Sequence, residues 1–299
     1  MNRIDFSPKH DTMIRHKDGT LTPMDVPYYE VTQLNERTWQ IMSSGDYHYL
    51  LAGDETGVAI DTGYGAGNLR EFLEELCGKP VPWVINTHHH FDHTANNFYF
   101  DMSFMAEEAL PLSSIPYASF EGITFPEPDY PKTAVGDGDI IPLKGRELEI
   151  IRIGDHTKDG IAILDRKERM LFTGDELMTR GKTLNGSVSK WKQDLEKLLA
   201  HRSEFDEIYG GSRKLDDGML ETFYEAACKV LAGDSLETPD EEQPKPPMEI
   251  ERDAEGHKIY DCQRPHPEDM PKGGFFKANP NMVDFVYKGY KFSYDKTLI

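Results

Sequence analysis

Four histidines and one aspartate fall within six consecutive positions, His88-His89-His90-Phe91-Asp92-His93. Neutral imidazole and carboxylate are the groups that borderline divalent cations prefer. The ligand types and spacing of His88, His90, Asp92 and His93 suit a metal better than any other chemistry; the alternative is a polar surface loop. Two later turns offer the same residue types, Gly154-Asp155-His156-Thr157 and Thr173-Gly174-Asp175-Glu176, each after a β-type segment. A third turn, Asp61-Thr62-Gly63, ends an earlier one.

The elements that must position these residues can be read from pattern. Residues 81–85 form an apolar run that reads as a buried strand. The histidine cluster then lies on the loop at its C-terminal end, where α/β folds place their chemistry. Before it come β-branched or aromatic segments at 28–32, 38–43, 47–52 and 57–61, separated by Asn, Gly and Asp turn residues. A helix over 68–77 carries Leu69, Phe72, Leu73 and Leu76 on one face, with Gly78 and Pro80 to stop it. After the cluster the pattern predicts a short helix at 94–98, a strand at 103–105 and a helix at 106–112. Residues 113–134, with Pro116, Pro126, Pro128 and Pro131, read as a long loop, a lid or a surface excursion. Strands at 139–141, 147–153, 161–165 and 170–173 follow, then helices at 189–199 and 216–231 around a strand at 207–209, the second capped by Asp216 or Asp217. The passages 28–112 and 135–231 thus repeat one β-then-α architecture without a sequence repeat.

The chain has 299 residues and a net charge of −20. A surface this acidic repels phosphate backbones and anionic membranes, which argues against nucleic-acid and membrane partners; the charge identifies no substrate, and a small molecule is the expected one. No apolar run approaches the roughly 20 residues that span a bilayer, and residues 1–5 lack the apolar core of a signal peptide. Three cysteines, Cys77, Cys228 and Cys262, stand far apart without a CxxC pair. Together these predict a cytoplasmic protein with free thiols.

His88-x-His90-x-Asp92-His93 resembles the HxHxDH signature of the metallo-β-lactamase superfamily. The resemblance runs from about residue 36 to 232 and includes, in order, Asp61-Thr62-Gly63, Asp137-Gly138-Asp139, the Gly-x-His-Thr segment at His156 and the Thr-Gly-Asp segment at Asp175. It implies an α/β fold, a four-layer αββα sandwich with a C-terminal extension. The expected organisation is an N-terminal arm (1–27), a catalytic domain (28–233), an acidic Pro-rich linker (234–256) and a β-rich extension (257–299). That extension, with a hairpin around Lys288-Gly289, packs on the core or on a partner in a homodimer.

The resemblance also implies a ligand set. One ion would be held by His88, His90 and His156, and a second by Asp92 and His93. Asp175 would bridge them, and Asp61 would orient a ligand histidine. Zinc, as one or two ions, is the expected cofactor, with iron or manganese as alternatives. The implied activity is a hydrolase in which a metal-bound hydroxide, oriented by Asp92 as the catalytic residue, cleaves a thioester, lactone, ester or amide.

This chain departs from the family pattern at three places. Ser212 stands where the family closes its second metal site with histidine, and His257 or His266 could fill that gap. His156 lies in Gly-Asp-His-Thr-Lys-Asp-Gly, without the family's flanking Pro-Gly pairs, and His89 replaces a small residue. A weakened second site leaves open a mononuclear iron-dependent oxygen or sulfur oxidoreductase, and loss of catalysis would leave a degenerate binding protein. His10, His16, His48 and His201 read as surface or satisfied histidines. Tyr64, Phe91 and Tyr99 are pocket-lining or packing residues.

Overall fold

The computed structural model describes residues 12–15, 18–23, 29–43, 46–63, 68–113, 130–179, 181–211, 213–234, 251–261 and 279–299. Ser212, His266, Cys262, His10, His16, Tyr64, the Phe91 side chain, most of the 62–67 and 113–134 loops and most of the 234–256 linker lie outside the described residues. The chain divides into two units. Residues 1–134, 143–146 and 246–275 form the first, and residues 135–142, 147–245 and 276–299 the second.

In the first unit, β1 (Thr12–Arg15) and β2 (Leu21–Pro23) pair antiparallel, so the expected arm contains a small sheet. A seven-stranded sheet follows in sequence order: β3 (Glu30–Asn35), β4 (Thr38–Ser43), β5 (Asp46–Ala52), β6 (Gly57–Ile60), β7 (Trp83–Ile85), β8 (Met102–Ala106) and β9 (Lys132–Val135). Helix α1 (Leu69–Cys77) makes the crossover from β6 to β7. Asn68 caps its first turn, and Gly78, at φ +67°, closes it in the left-handed region. Its Leu69 and Leu73 bury against Ile41, Leu50, Ala59, Val81 and Val84, each worth about 1.5–3 kcal/mol of transfer free energy. Because β6, β7 and β8 run parallel with Ile60 opposite Ile85 and Ile85 opposite Phe104, their C-terminal ends lie side by side.

Two helix predictions after the histidine cluster fail. The helical turn α2 (Phe91–Thr94) forms within the cluster itself, and residues 97–99 make only a 3-10 turn. The Asn96 and Asn97 side chains there bond Thr62 and Asn86. At 106–112 only Glu107–Ala109 turns, because Pro111 supplies no N–H and cannot continue a helix.

The second unit has a five-stranded sheet in the order β10 (Ile140–Leu143), β11 (Arg146–Arg152), β12 (Ile161–Asp165), β13 (Met170–Gly174) and, beyond the short β14 (Gly181–Thr183), β15 (Glu207–Gly210). Helices α3 (Val188–Ala200) and α4 (Met219–Ala232) bury Trp191, Leu195, Phe223 and Ala226 in its core. Gly218, in the left-handed region, opens α4 without a side-chain cap, so neither Asp216 nor Asp217 serves.

Near the end of the chain, β16 (Lys258–Asp261) pairs parallel with β1 in the first unit. The predicted hairpin forms from β17 (Met282–Tyr287) and β18 (Tyr290–Asp295). Its two-residue turn has Lys288 at φ +50° and Gly289 at φ +86°, as a tight hairpin requires. Phe285 and Phe292 join the core of the second unit, and β18 pairs with β14. Among the described residues no helix is long and apolar enough to cross a membrane.

Candidate metal centre

In the first unit the ends of β6 and β7 build the loop. The Asp61 N–H donates to Ile85 O at 3.0 Å, and Asp61 itself sits at φ +58°, a conformation that aspartate tolerates better than most residues. Its carboxylate gathers the cluster. Oδ1 accepts the Thr87 N–H at 2.8 Å, and Oδ2 accepts the Thr87 hydroxyl at 2.7 Å and lies 2.9 Å from His93 Nδ1. His93 therefore carries its proton on Nδ1 and its lone pair on Nε2.

The same logic fixes His88. The Thr87 hydroxyl proton is committed to Asp61, so toward His88 Nδ1, at 3.1 Å, the Thr87 oxygen accepts. His88 then also turns an Nε2 lone pair inward, 3.0 Å from His90 Nδ1, with a ligand atom of His88 within 4.8 Å of one of His93. His93 Nε2 lies 3.5 Å from Asp92 Oδ2. Lone pairs and a carboxylate oxygen gathered this closely repel unless a proton or cation lies among them, and imidazole with carboxylate is a donor set that suits zinc.

The loop is braced from behind. His93 O accepts the Thr62 N–H at 3.0 Å and the Asn86 side-chain amide at 2.7 Å. Asn97 bonds Asn86 Oδ1 at 2.8 Å and Thr62 Oγ1 at 3.0 Å. These groups are buried, so each unmade bond would cost about 1–3 kcal/mol.

The second unit brings together its own pair, His156 Nε2 and Asp175 Oδ2, at 3.7 Å. The two residues come from separate turns, after β11 and β13. Glu176 Oε1 accepts the N–H groups of both Asp155 and His156 at 2.8 Å, and Asp194 on α3 accepts the Gly154 N–H at 3.1 Å. The glycine after β15 is required by contact: a Cβ on Gly211 would stand 1.8 Å from Asp175 Oδ1.

Sequence reasoning did not single out Thr87, which bonds its neighbour His88, Asn86, which holds the His93 carbonyl, or Glu176, which holds the Asp155-His156 turn. It also misjudged His48. That residue, on β5, is 1% exposed, and among the described residues neither ring nitrogen has a hydrogen-bond partner. Burial pushes its pKa down to about 3, so it stays neutral. A Cβ on Gly63 would lie 3.4 Å from the His48 ring, which places the Asp61-Thr62-Gly63 turn directly against it. His201 is satisfied by Glu204 at 2.9 Å. His257 is held by Asp253 of its own turn at 2.8 Å, in a separate cluster with Glu255. Tyr99 packs against the α1 core.

Comparison with known proteins adds the following. Residues 47–220, more than half of the chain, match the sequence model of the metallo-beta-lactamase superfamily. An acyl-coenzyme A thioesterase of Homo sapiens is 27% identical, over 48% of this chain and 60% of its own. A hydroxyacylglutathione hydrolase of Rhodospirillum rubrum is 29% identical, over 52% of this chain and 58% of its own. The chain thus spans about 60% of the length of these curated relatives. The solved metallo-beta-lactamase of Pontibacter korlensis matches with a TM-score of 0.54 at 18% identity, over 67% of this chain and 99% of its own, a likeness of fold.

Proposed function

Because the chain belongs to the metallo-beta-lactamase superfamily, we propose that it is a metal-dependent hydrolase of a small-molecule acyl bond, with thioesters as the first substrate class. The observation that carries this reading is the pair of fixed imidazoles. Asp61 and Thr87 accept the Nδ1–H groups of His93 and His88, so both rings present Nε2 lone pairs, that of His93 3.5 Å from Asp92 Oδ2. Outer partners of this kind raise ligand basicity and set ring orientation. The thioester preference is supported by two relatives whose names give acyl-coenzyme A and hydroxyacylglutathione as substrates, both acyl groups on sulfur.

In this reading His88, His90 and His156 would hold one ion, and Asp92 and His93 with Asp175 a second, with zinc the expected metal. A bound ion would make water nucleophilic near neutral pH and polarise the scissile carbonyl. The chain's own groups do the rest. Asp61 keeps His93 in one tautomer. Asn86 and Thr62 hold the backbone at His93. Asp92, 29% exposed at its side chain, would orient the attacking water, take its proton and pass that proton to the leaving sulfur.

The test is metal content by elemental analysis, on wild type and Ser212→His, followed by thioester, lactone, ester and amide hydrolysis. About two zincs in wild type, or one rising toward two in the variant, with thioester turnover, is the expected result. Iron as the native metal with a dioxygen requirement would replace the hydrolase reading by redox chemistry. No metal after reconstitution would overturn it.

A further inference from the structure

Behind His156 and Asp175 the second unit buries a cation that the proposed reaction does not use. The Lys182 ammonium, on β14, lies 3.0 Å from Asp155 Oδ2 and 3.2 Å from Glu176 Oε2, and all three side chains are buried. Both carboxylates are chain neighbours of candidate ligands, since Asp155 precedes His156 and Glu176 follows Asp175. Each has its other oxygen committed to backbone. Glu176 Oε1 accepts from Asp155 and His156, and Asp155 Oδ1 accepts the Gly186 N–H at 2.9 Å. Burial alone would lower the Lys182 pKa; the charges of Glu176 and Asp155 outweigh it and hold the ammonium above the usual lysine value.

The place of Lys182 is set from the far end of the chain. In its sheet, β14 pairs with β18, with Gly181 opposite Lys291 and Lys182 opposite Phe292. The two backbones approach so closely that a Cβ on Gly181 would stand 1.8 Å from Lys291 O. Phe292 anchors β18 against Phe223 and Trp191, at ring distances of 5.1 and 5.9 Å.

We propose that Lys182 is a positioning residue for the metal-ligand turns of the second unit: it ties the Asp155-His156 turn to the Asp175-Glu176 turn, and the C-terminal hairpin sets its place. The inference rests on the metal reading above. Its sign is diagnostic. A lysine acting only through its field repels a nearby cation, so removing it would tighten metal binding; a lysine that holds the turns would, on removal, weaken it.

The test is zinc affinity of the full chain by chelator competition, with cobalt(II) absorption as a signature of coordination. Lys182→Met leaves two buried carboxylates uncompensated, and zinc binding should weaken roughly 10–100-fold with an altered cobalt spectrum. Adding Glu176→Gln returns the cluster to its original net charge and keeps an oxygen for the two N–H groups. The double variant removes the excess charge but not the missing tie, so it should fold and still bind zinc roughly 10–100-fold more weakly with the altered spectrum, including where Lys182→Met alone does not fold. Unchanged or tighter zinc binding in Lys182→Met, or wild-type affinity in the double variant, overturns the inference while leaving the metal reading intact. No zinc binding by wild type overturns both.

Discussion

The two units hold their candidate ligands by different means. In the first, His88, His90, Asp92 and His93 share one loop, and the brace is local: one carboxylate, two hydroxyls and two amides from the ends of adjoining elements. In the second, His156 and Asp175 come from separate turns, and the brace is ionic, with Lys182 between Asp155 and Glu176. Ligands on one loop can be set by parallel strands whose ends already lie together. Ligands on separate turns need a third element, here β14 held by the C-terminal hairpin. Each bond of the local brace contributes about 0.5–1.5 kcal/mol net, whereas removing one partner of a buried ion pair costs about 3–5 kcal/mol.

The first loop should fail completely when a ligand is removed. His88→Ala is expected to reduce bound metal and hydrolysis to background, beyond the roughly 10–100-fold that loss of an outer partner costs. Retention of wild-type metal content would remove the loop from the site. The next effect separates the units. Phe292→Ala, at a side chain 1% exposed in the second unit, should lower stability by about 3–5 kcal/mol in denaturant titration and also weaken metal binding. Leu73→Ala, fully buried in the first unit, should cost about 2–5 kcal/mol and leave metal affinity unchanged. Equal weakening of metal binding by both would erase the contrast. Asp61→Asn is milder still, because the amide keeps an acceptor for the Thr87 N–H but can offer His93 a donor. Metal affinity should drop roughly 10–100-fold by chelator competition, and an unchanged value would show that His93 does not depend on Asp61.

The same contrast explains what could be read from sequence. The first loop was legible because its ligands are nearly contiguous and follow an apolar strand. Helix α1 was legible because Asn68, a 3.6-residue apolar period and Gly78 all agree. Asp175 and His156 were legible as turn residues, but their brace was not. Lys182 sits in a short polar strand that reads as loop, and the strand that fixes it, β18, lies in the last residues of the chain. The failed helices had local causes, Pro111 in one and side chains drawn into the Thr62–Asn86–Asn97 network in the other. His48 was illegible for a different reason. β5 buries consecutive residues from His48 to Ala52, so no polar-out alternation distinguishes the imidazole from its apolar neighbours.

His48 gives the smallest effect at neutral pH and the sharpest one in acid. Its pKa is about 3 when folded against a model value of 6.5. Above pH 6.5 the ring is neutral in both folded and unfolded chains, so His48→Leu, which removes a buried polar group without a partner, should change stability by no more than about 1 kcal/mol. As pH falls from 6.5 toward 3, the unfolded chain takes up a proton that the folded chain refuses. Wild-type stability therefore declines over that window by up to about 1.4 kcal/mol per pH unit from this one group. Leucine has no such term. Denaturant titrations of both proteins should give a stability difference, wild type minus variant, that is flat above pH 6.5 and falls steadily below it. Parallel curves down to pH 4 would mean that the folded protein protonates His48 freely. The imidazole would then have to reach a partner or solvent, and the wall behind the first unit's loop would be softer than its packing against Gly63 implies.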